Sequence, residues 1–364
     1  MSSAFGQYLK LSIFGQSHGE ALGVTLDGFP AGMTIDMAQL LAEMARRAPG
    51  QSLMTTARKE PDAPEFLSGV LNGRTTGQPI CAIIRNTNTR SGDYAKTADL
   101  LRPGHADYTA YAKYEGWQDA RGGGHFSGRI TAASVAAGSI CEHILAQRGM
   151  KVYTHIARCA GVEDAPLSSS AGLIMAEPQP GHFALLDPEK EAPMQAAIRA
   201  AGAEGDSVGG ILETVITGVP AGIGEPFFDS VESEIAHLAF AIPAVKGIEF
   251  GAGFAFADLR GSQANDPFTM RDGKVVTATN KNGGINGGIA NGMPIVFRTA
   301  VKPTPSIYKE QDTVDYIAKA DAKLQIKGRH DPCIVPRAAV VQNTLAAFAV
   351  LDLLTVRYGT LEQK

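Results

Sequence analysis

Four short turns constrain this chain more than any other feature. They are Gly15-Gln-Ser-His-Gly-Glu20, Arg102-Pro-Gly-His-Ala-Asp107, Arg121-Gly-Gly-Gly-His-Phe-Ser-Gly-Arg129 and Gly328-Arg-His-Asp-Pro-Cys333. Each joins glycine to imidazole, guanidinium, hydroxyl or carboxylate groups. Glycine lets the backbone turn sharply and lets a ligand approach it closely. Histidine exchanges its proton near neutral pH. One such turn is weak evidence. Four of one character, spread along most of the chain, suit a fold that gathers distant loops around one composite pocket for an anionic ligand. Unrelated surface loops are the plainer alternative.

The charge balance narrows the ligand. The net charge of −4 argues against a general nucleic-acid binder, which carries a basic excess. The arginine clusters therefore serve something local. The four cysteines, at 81, 141, 159 and 333, have neither metal-ligand nor redox spacing and point to a reducing compartment. No basic segment followed by an apolar run opens the chain, so no secretory signal is read. The stretch Leu345 to Val356 is broken by Asp352 and reads as too short to span a bilayer. A cytoplasmic protein without a metal site is expected.

Periodicity places the turns among regular elements. Asp36 is a candidate N-cap for a helix with Met37, Leu40, Leu41 and Met44 on one face, stopped by Pro49-Gly50. Further helices are expected over Ala106 to Tyr114, about Arg129 to Gly149, Pro193 to Ala201, Ser230 to Phe240 and Pro336 to Val356. Strands are expected at Tyr8 to Phe14, Val24 to Asp27, Pro79 to Arg85, Val152 to Ile156, Ile211 to Thr217, Gly247 to Phe250 and Ile295 to Thr299. Gly28-Phe-Pro-Ala-Gly32 and Gly218-Val-Pro-Ala-Gly222 each follow a strand and precede a helix. Two pseudo-symmetric halves or a chance turn match both account for this echo. No flexible linker separates the halves, so one domain over residues 1–364 is favoured.

Each turn has a plain reading beside the chemical one. His18 next to Ser17 is an acid or base beside a leaving group, or a turn histidine at a strand end. His105 stands where a helix begins and an anion can bind, while Asp107 can simply charge the first turn. The three glycines before His125, Ser127 and Arg129 bare N–H groups at a helix start, or form a flexible loop; neither a P-loop nor a dinucleotide fingerprint is present. Two Gly-Gly-Ile units at 283–289 suit close approach to a flat ring, or a bulge. Lys302-Pro-Thr-Pro-Ser306 is a stiff loop that can aim Lys302, Thr304 and Ser306, or a solvated linker. Arg329 can grip a carboxylate or phosphate, and Asp331 is a base if desolvated; a salt bridge between them is the alternative. Arg46-Arg47 at a helix end can just answer the negative terminus.

Taken in order and spacing, these segments resemble the chorismate synthase family over nearly the full length. Ala244-Val-Lys-Gly-Ile-Glu-Phe-Gly251 and Gly283-Gly-Ile-Asn-Gly-Gly-Ile289 add to the match. The resemblance implies an α+β fold in which helices are sandwiched between two antiparallel β-sheets with internal pseudo-symmetry, and a homotetramer. It implies anti-1,4-elimination of phosphate and a ring hydrogen from 5-enolpyruvylshikimate 3-phosphate, with reduced FMN as cofactor and NADPH as a reductant in some relatives. By position, His18 looks like the acid serving the phosphate and His105 like the residue that sets flavin protonation. Asp331 looks like the partner in ring-proton removal, with Ser17 and Ser127 as relays. Flavin contacts are expected from His125, Phe126, Ser127, Ala244, Gly287, Lys302, Pro303, Thr304, Pro305, Ser306 and Arg329, and substrate contacts from His18, Arg47, Arg129 and Arg329. His125-Phe126 departs from the family's commoner Arg-Ser, which makes His125 a candidate substitute cation. A flavin-dependent NADPH oxidoreductase and a non-catalytic flavin binder are the rival readings.

Overall fold

Two five-stranded antiparallel sheets enclose a layer of helices, and the two sheets are built by the same path. The computed structural model describes residues 3–50, 62–87, 99–167, 183–326 and 330–359. In chain order the first half holds β1 (Ala4–Phe5), β2 (Lys10–Gly15), β3 (Ala21–Asp27), β4 (Ala31–Thr34), α1 (Met37–Arg47), β5 (Glu65–Ser68), β6 (Val70–Leu71), β7 (Arg74–Thr76), β8 (Ile80–Arg85), α2 (Asp107–Tyr114) and α3 (Thr131–Gln147). The second half holds β9 (Lys151–Cys159), β10 (Val162–Glu163), α4 (Glu191–Ala203), β11 (Gly210–Thr217), α5 (Val231–Ala241), β12 (Val245–Phe250) and α6 (Gly261–Ala264). It continues through β13 (Phe268–Arg271), β14 (Lys274–Thr277), β15 (Ile285–Asn286), β16 (Ile289–Ala290), β17 (Ile295–Val301), β18 (Gln311–Asp315), β19 (Ala320–Leu324) and α7 (Val335–Tyr358).

The sheets run β1-β2-β3-β8-β5 and β10-β9-β11-β17-β12. The path β2-β3-α1-β5-β8-α3 is repeated as β9-β11-α5-β12-β17-α7. In both sheets the fourth strand of the path inserts between the second and third. The Gly-x-Pro-Ala-Gly echo marks the same corner in each half. Gly28, Gly32, Gly218 and Gly222 all have positive φ, between 79° and 93°, which an L side chain adopts only with strain. The expected elements are present with ends shifted by up to three residues. The first strand begins at Lys10 rather than Tyr8, because Asp352 on α7 holds the preceding turn: its carboxylate accepts from the backbone N of Gln7 (2.6 Å), Tyr8 (2.9 Å) and Leu9 (2.7 Å).

The helical layer is why the two sheets act together. α3 packs on α7, α1 on α3, and α5 on α7. α3 also meets β2, β3 and β8 of one sheet, and α7 meets β9 and β11 of the other. Small residues allow the approach: a Cβ at Gly138 of α3 would stand 2.3 Å from the Thr344 carbonyl oxygen of α7. α7 corrects the expectation of a stretch too short for a membrane. Over 24 residues it is long and apolar enough to cross one, yet 94% of its most apolar window is buried inside the fold. A helix apolar all round fits a position between two layers. One hydrophobic core accordingly runs from Leu9 to Leu354.

Outside the layer, one charged cluster ties the segments 164–167 and 183–187 to the second sheet. His155 of β9 is fully buried; its Nδ1–H donates to Asp164 (3.0 Å) and its Nε2–H to Glu213 of β11 (3.0 Å). Glu213 also accepts from Leu167 N, and Asp164 from Leu186 N and Asp187 N. Two carboxylates on two ring nitrogens require the imidazolium. Burial opposes this charge, but the hydrogen bonds and charges of Asp164 and Glu213 outweigh it and raise the His155 pKa. Burial likewise opposes both carboxylates, and His155 with the backbone donors lowers each of them. A raised histidine stabilises the fold below its ordinary value of about 6.5 and loses that contribution as pH rises through its folded pKa. The lowered carboxylates contribute above about pH 4 and lose their share as pH falls. His155→Gln should therefore cost about 3 kcal/mol at about pH 6 and clearly less at about pH 10. Urea unfolding at the two pH values measures this, and equal losses at both would rule out the buried imidazolium.

Candidate active site

The starts of α3 and α7 lie side by side, and the glycine-rich turns close over them. The result is a cavity of about 680 Å³, within the usual size of a small-molecule site. Its walls come from Ser17-His18, Arg102 to Ala106, Gly122 to Thr131, Phe240 to Ala244, Lys302 to Ser306 and His330 to Val341. All four turns noted in the sequence thus reach one space. The lining residues include Arg47, Arg102, Arg129, Lys302 and Arg337, four imidazoles (His18, His105, His125, His330), and, among described residues, Asp331 as the only carboxylate. A strongly cationic cavity inside a net-acidic chain is what a multiply charged anion needs.

Each expected catalytic group has a distinct support. Ser17 is buried, and its Oγ lies 3.0 Å from His18 Nδ1 and 3.4 Å from the Arg121 carbonyl oxygen. Gly122 makes room for that imidazole: at φ +61° its Cβ would fall 2.4 Å from His18 Cε1. His105 Nδ1–H donates to Asp107 Oδ1 (2.8 Å), and Arg102 grips the same carboxylate through Nε (2.8 Å) and Nη2 (2.6 Å). Burial pushes the Asp107 carboxyl up, but the hydrogen bonds from Arg102 and His105 win and hold it well below the usual range. Asp107 therefore orients His105 as well as opening α2. Asp331 is buried and paired with Arg337 Nη1 at 2.6 Å. Ser127 caps the turn before α3, accepting from Arg129 N at 3.2 Å.

Behind the cations sits a buried carboxylate that sequence spacing does not reveal. Asp62 binds Arg47 Nη1 (2.8 Å) and also Arg129 Nη1. Arg47 further donates to Thr131 Oγ1 and the Gly128 carbonyl, and Arg129 to Asn86 Oδ1 and the Arg85 carbonyl. Arg47 is thus more than a helix-terminal charge. Burial, then the neighbouring Arg337 and Arg129, push its guanidinium down to about 9 against the pull of Asp62. Arg337 Nε donates to the Arg47 carbonyl at 2.9 Å, linking this cluster to Asp331.

The remaining expected contacts divide. Phe126, Ala244, Lys302, Thr304, Pro305 and Ser306 line the cavity; Pro303 belongs to the same loop but is not on the wall. Ala244 holds φ +74°, an uncommon conformation for alanine, and its carbonyl accepts from Lys302 N at 2.9 Å. Lys302 Nζ donates to the Gly104 carbonyl (2.6 Å), tying this loop to the His105 turn. Thr304 Oγ1 and His330 Nε2 are buried and have no hydrogen-bond partner among the described residues. His125 lines the cavity, and both its ring nitrogens have partners on the N-terminal segment: Nδ1–H donates to the Gly15 carbonyl (2.8 Å), and Nε2 lies 3.0 Å from Ser3 Oγ. Gly287 differs from expectation: it sits exposed in the tight β15–β16 turn and is not on the cavity wall. Arg329 lies outside the described residues. Arg337, Arg102 and His330 were legible as residue types near the motifs, since Arg337 follows Pro336 at the start of α7.

The comparisons agree with one another. The family model described as chorismate synthase matches residues 9–355. A chorismate synthase of Thermococcus kodakarensis is 46% identical over 351 residues, covering 95% of this chain and 96% of that protein. One from Dehalococcoides mccartyi is 44% identical over 353 residues, covering 97% and 96%. One from Methanosarcina mazei is 45% identical over 350 residues, covering 96% and 95%. A crystal structure of chorismate synthase superposes with a TM-score of 0.76 at 28% identity, covering 98% of this chain and 94% of that one. On motif order, architecture and full-length similarity alike, this chain belongs to the chorismate synthase family.

Proposed function

We propose that the chain is a carbon–oxygen lyase of the shikimate pathway. It converts 5-enolpyruvylshikimate 3-phosphate to chorismate by anti-1,4-elimination of phosphate and a ring hydrogen, with reduced FMN bound. The observation that carries this reading is the charge of the cavity, five arginine and lysine side chains against one carboxylate among the described lining residues. The substrate brings a phosphate and two carboxylates. Arg47 and Arg129 are pre-set by Asp62 to meet it, and Arg102, Lys302 and Arg337 complete the cationic wall.

The chain's own groups can divide the proton work. His18, placed by Ser17 and Gly122, gives a proton to the departing phosphate. Asp331, held by Arg337, takes up the ring proton. His105, oriented through Nδ1 by Asp107, presents its other nitrogen to the cavity. Ser127 keeps the start of α3 in register, which supports a positioning part for it. The flavin fits the residues present: the unpartnered Thr304 Oγ1 needs a ligand atom, on a wall already built from Ala244, Lys302 and Ser306. Those residues, the Phe126–Ser127 backbone and the prolines that stiffen 302–306 would hold it. Reduced FMN held there would supply electron density to ease departure of the phosphate. We further propose one domain over 1–364, in a cytoplasmic homotetramer. The strongly exposed Phe227, Phe228 and Phe254 support an assembly that covers them.

An anaerobic assay with the substrate and chemically reduced FMN should yield chorismate, and failure to form it would end this reading. Repeating it with oxidised FMN and NADPH tells whether the chain reduces its own flavin. His18→Ala, His105→Ala and Asp331→Ala should each slow turnover by about 10²–10⁴-fold while FMN affinity stays near normal. A variant with near-normal turnover removes its residue from the mechanism. Gly122→Ala should displace His18 and lower kcat by about a hundredfold without loss of fold. Unchanged kcat would show that the imidazole needs no such placement.

A further inference from the structure

His330 has no part in the scheme above, yet its position demands one. Its Nε2 is buried without a partner among the described residues, and the residue lines the cavity. A buried polar atom left unpaired is costly, and native structures seldom tolerate it away from a ligand site. The ring is held by its surroundings. Its centroid stands 5.9 Å from that of Tyr308, and the His330 backbone N–H reaches the Tyr308 hydroxyl at 3.4 Å. Tyr308 follows the 302–306 loop by two residues, so His330 shares a wall with Thr304, the other unpartnered atom.

The charges around it say what kind of ligand atom it meets. Arg102 and His105 face it from the turn before α2, Asp331 adjoins it, Arg337 reaches Asp331 from α7, and Tyr308 covers it. Burial, with Arg102 and His105, disfavours the imidazolium more than Asp331 favours it. A neutral imidazole adds nothing to the grip on a trianion, for which the cavity already has its cations. It suits the polar edge of an uncharged heteroaromatic ring.

We propose that His330 is a cofactor-positioning residue whose Nε2 hydrogen-bonds the ring system of the flavin. Thr304 Oγ1 makes the companion contact on the same wall. This rests on the flavin-dependent reading above.

The test is binding of oxidised FMN alone, followed by fluorescence quenching, to the full-length wild type, His330→Ala, His330→Gln and His330→Asn. Glutamine places its amide near the position of Nε2; asparagine places its own near Nδ1. Loss of the contact should weaken FMN about tenfold in the alanine and asparagine variants, and glutamine should recover to within about threefold. Affinity for the substrate alone, read by thermal shift, should not change. The proposal is overturned if His330→Ala binds FMN as the wild type does. It is equally overturned if glutamine is no better than asparagine, or if only substrate affinity falls. The Gln–Asn comparison holds even where alanine impairs folding. A wild type that binds no FMN would overturn the flavin reading itself, and His330's role with it.

Discussion

The buried carboxylate of Asp62 between Arg47 and Arg129 is the interaction on which the site depends. Two guanidiniums that close would repel each other, and neither has water to screen it. Removing one partner from a buried ion cluster usually costs several times what a surface pair is worth, because a charge is left stranded. The cluster joins the end of α1, the segment at residue 62 and the turn that starts α3. Through Arg337 it reaches α7 and Asp331. The cations of the cavity wall and Asp331 therefore share one rigid frame. Their mutual placement does not rely on loop order alone.

That frame explains why the helices lie inside. A sandwich with its helices between two sheets has both sheets' inner faces to cover and few surfaces for water to enter. α7 meets this need with a largely apolar surface, and its buried polar residues all have partners. Gln342 donates to Thr214 Oγ1 on β11 at 2.8 Å and accepts from Thr299 of β17. Asp352 captures three backbone donors of the N-terminal turn. The same helix begins beside Asp331 and ends against that turn, so it carries constraint from one end of the core to the other. The repeated path supplies two such long helices, α3 and α7. The cavity forms where both begin, near N–H groups that favour anions.

Much of this was legible from residues alone, for identifiable reasons. Helix α1 announced itself through Asp36, because capping is a local interaction, and α5 and α7 were expected within two residues of their observed bounds. The central strands β3, β8, β9, β11 and β17 are rich in β-branched residues and were placed to within three residues. The short strands β4 to β7 and the hairpins β13–β14 and β18–β19 were not, since two to five residues carry too little pattern. Sheet order was out of reach too, although the paired Gly-x-Pro-Ala-Gly corners did mark the repeat. Within the site, the four motifs gave the right turns but not their wiring. No spacing rule connects Asp62 to Arg47 and Arg129, and nothing local shows that Arg337 pairs with Asp331. Gly287 shows the opposite error: a glycine pair suggests close approach, but only the fold says to what.

The four imidazoles of the cavity show how the same side chain is given different work by its second contact. His125 spends Nδ1–H on a carbonyl and Nε2 on a hydroxyl, so neither nitrogen is left for chemistry; its service is to pin the Gly15 turn. His105 faces an ionised Asp107, a partner that accepts from Nδ1–H and fixes which nitrogen points inward. His18 has a neutral serine beside Nδ1 that orients the ring, with the Asp119 carboxylate within electrostatic reach. His330, set among Arg102 and His105 with its Nε2 unspent, is disfavoured as a cation. Residue type and motif position mark all four alike. What separates the four is the group on the far nitrogen, and that group is supplied by the fold.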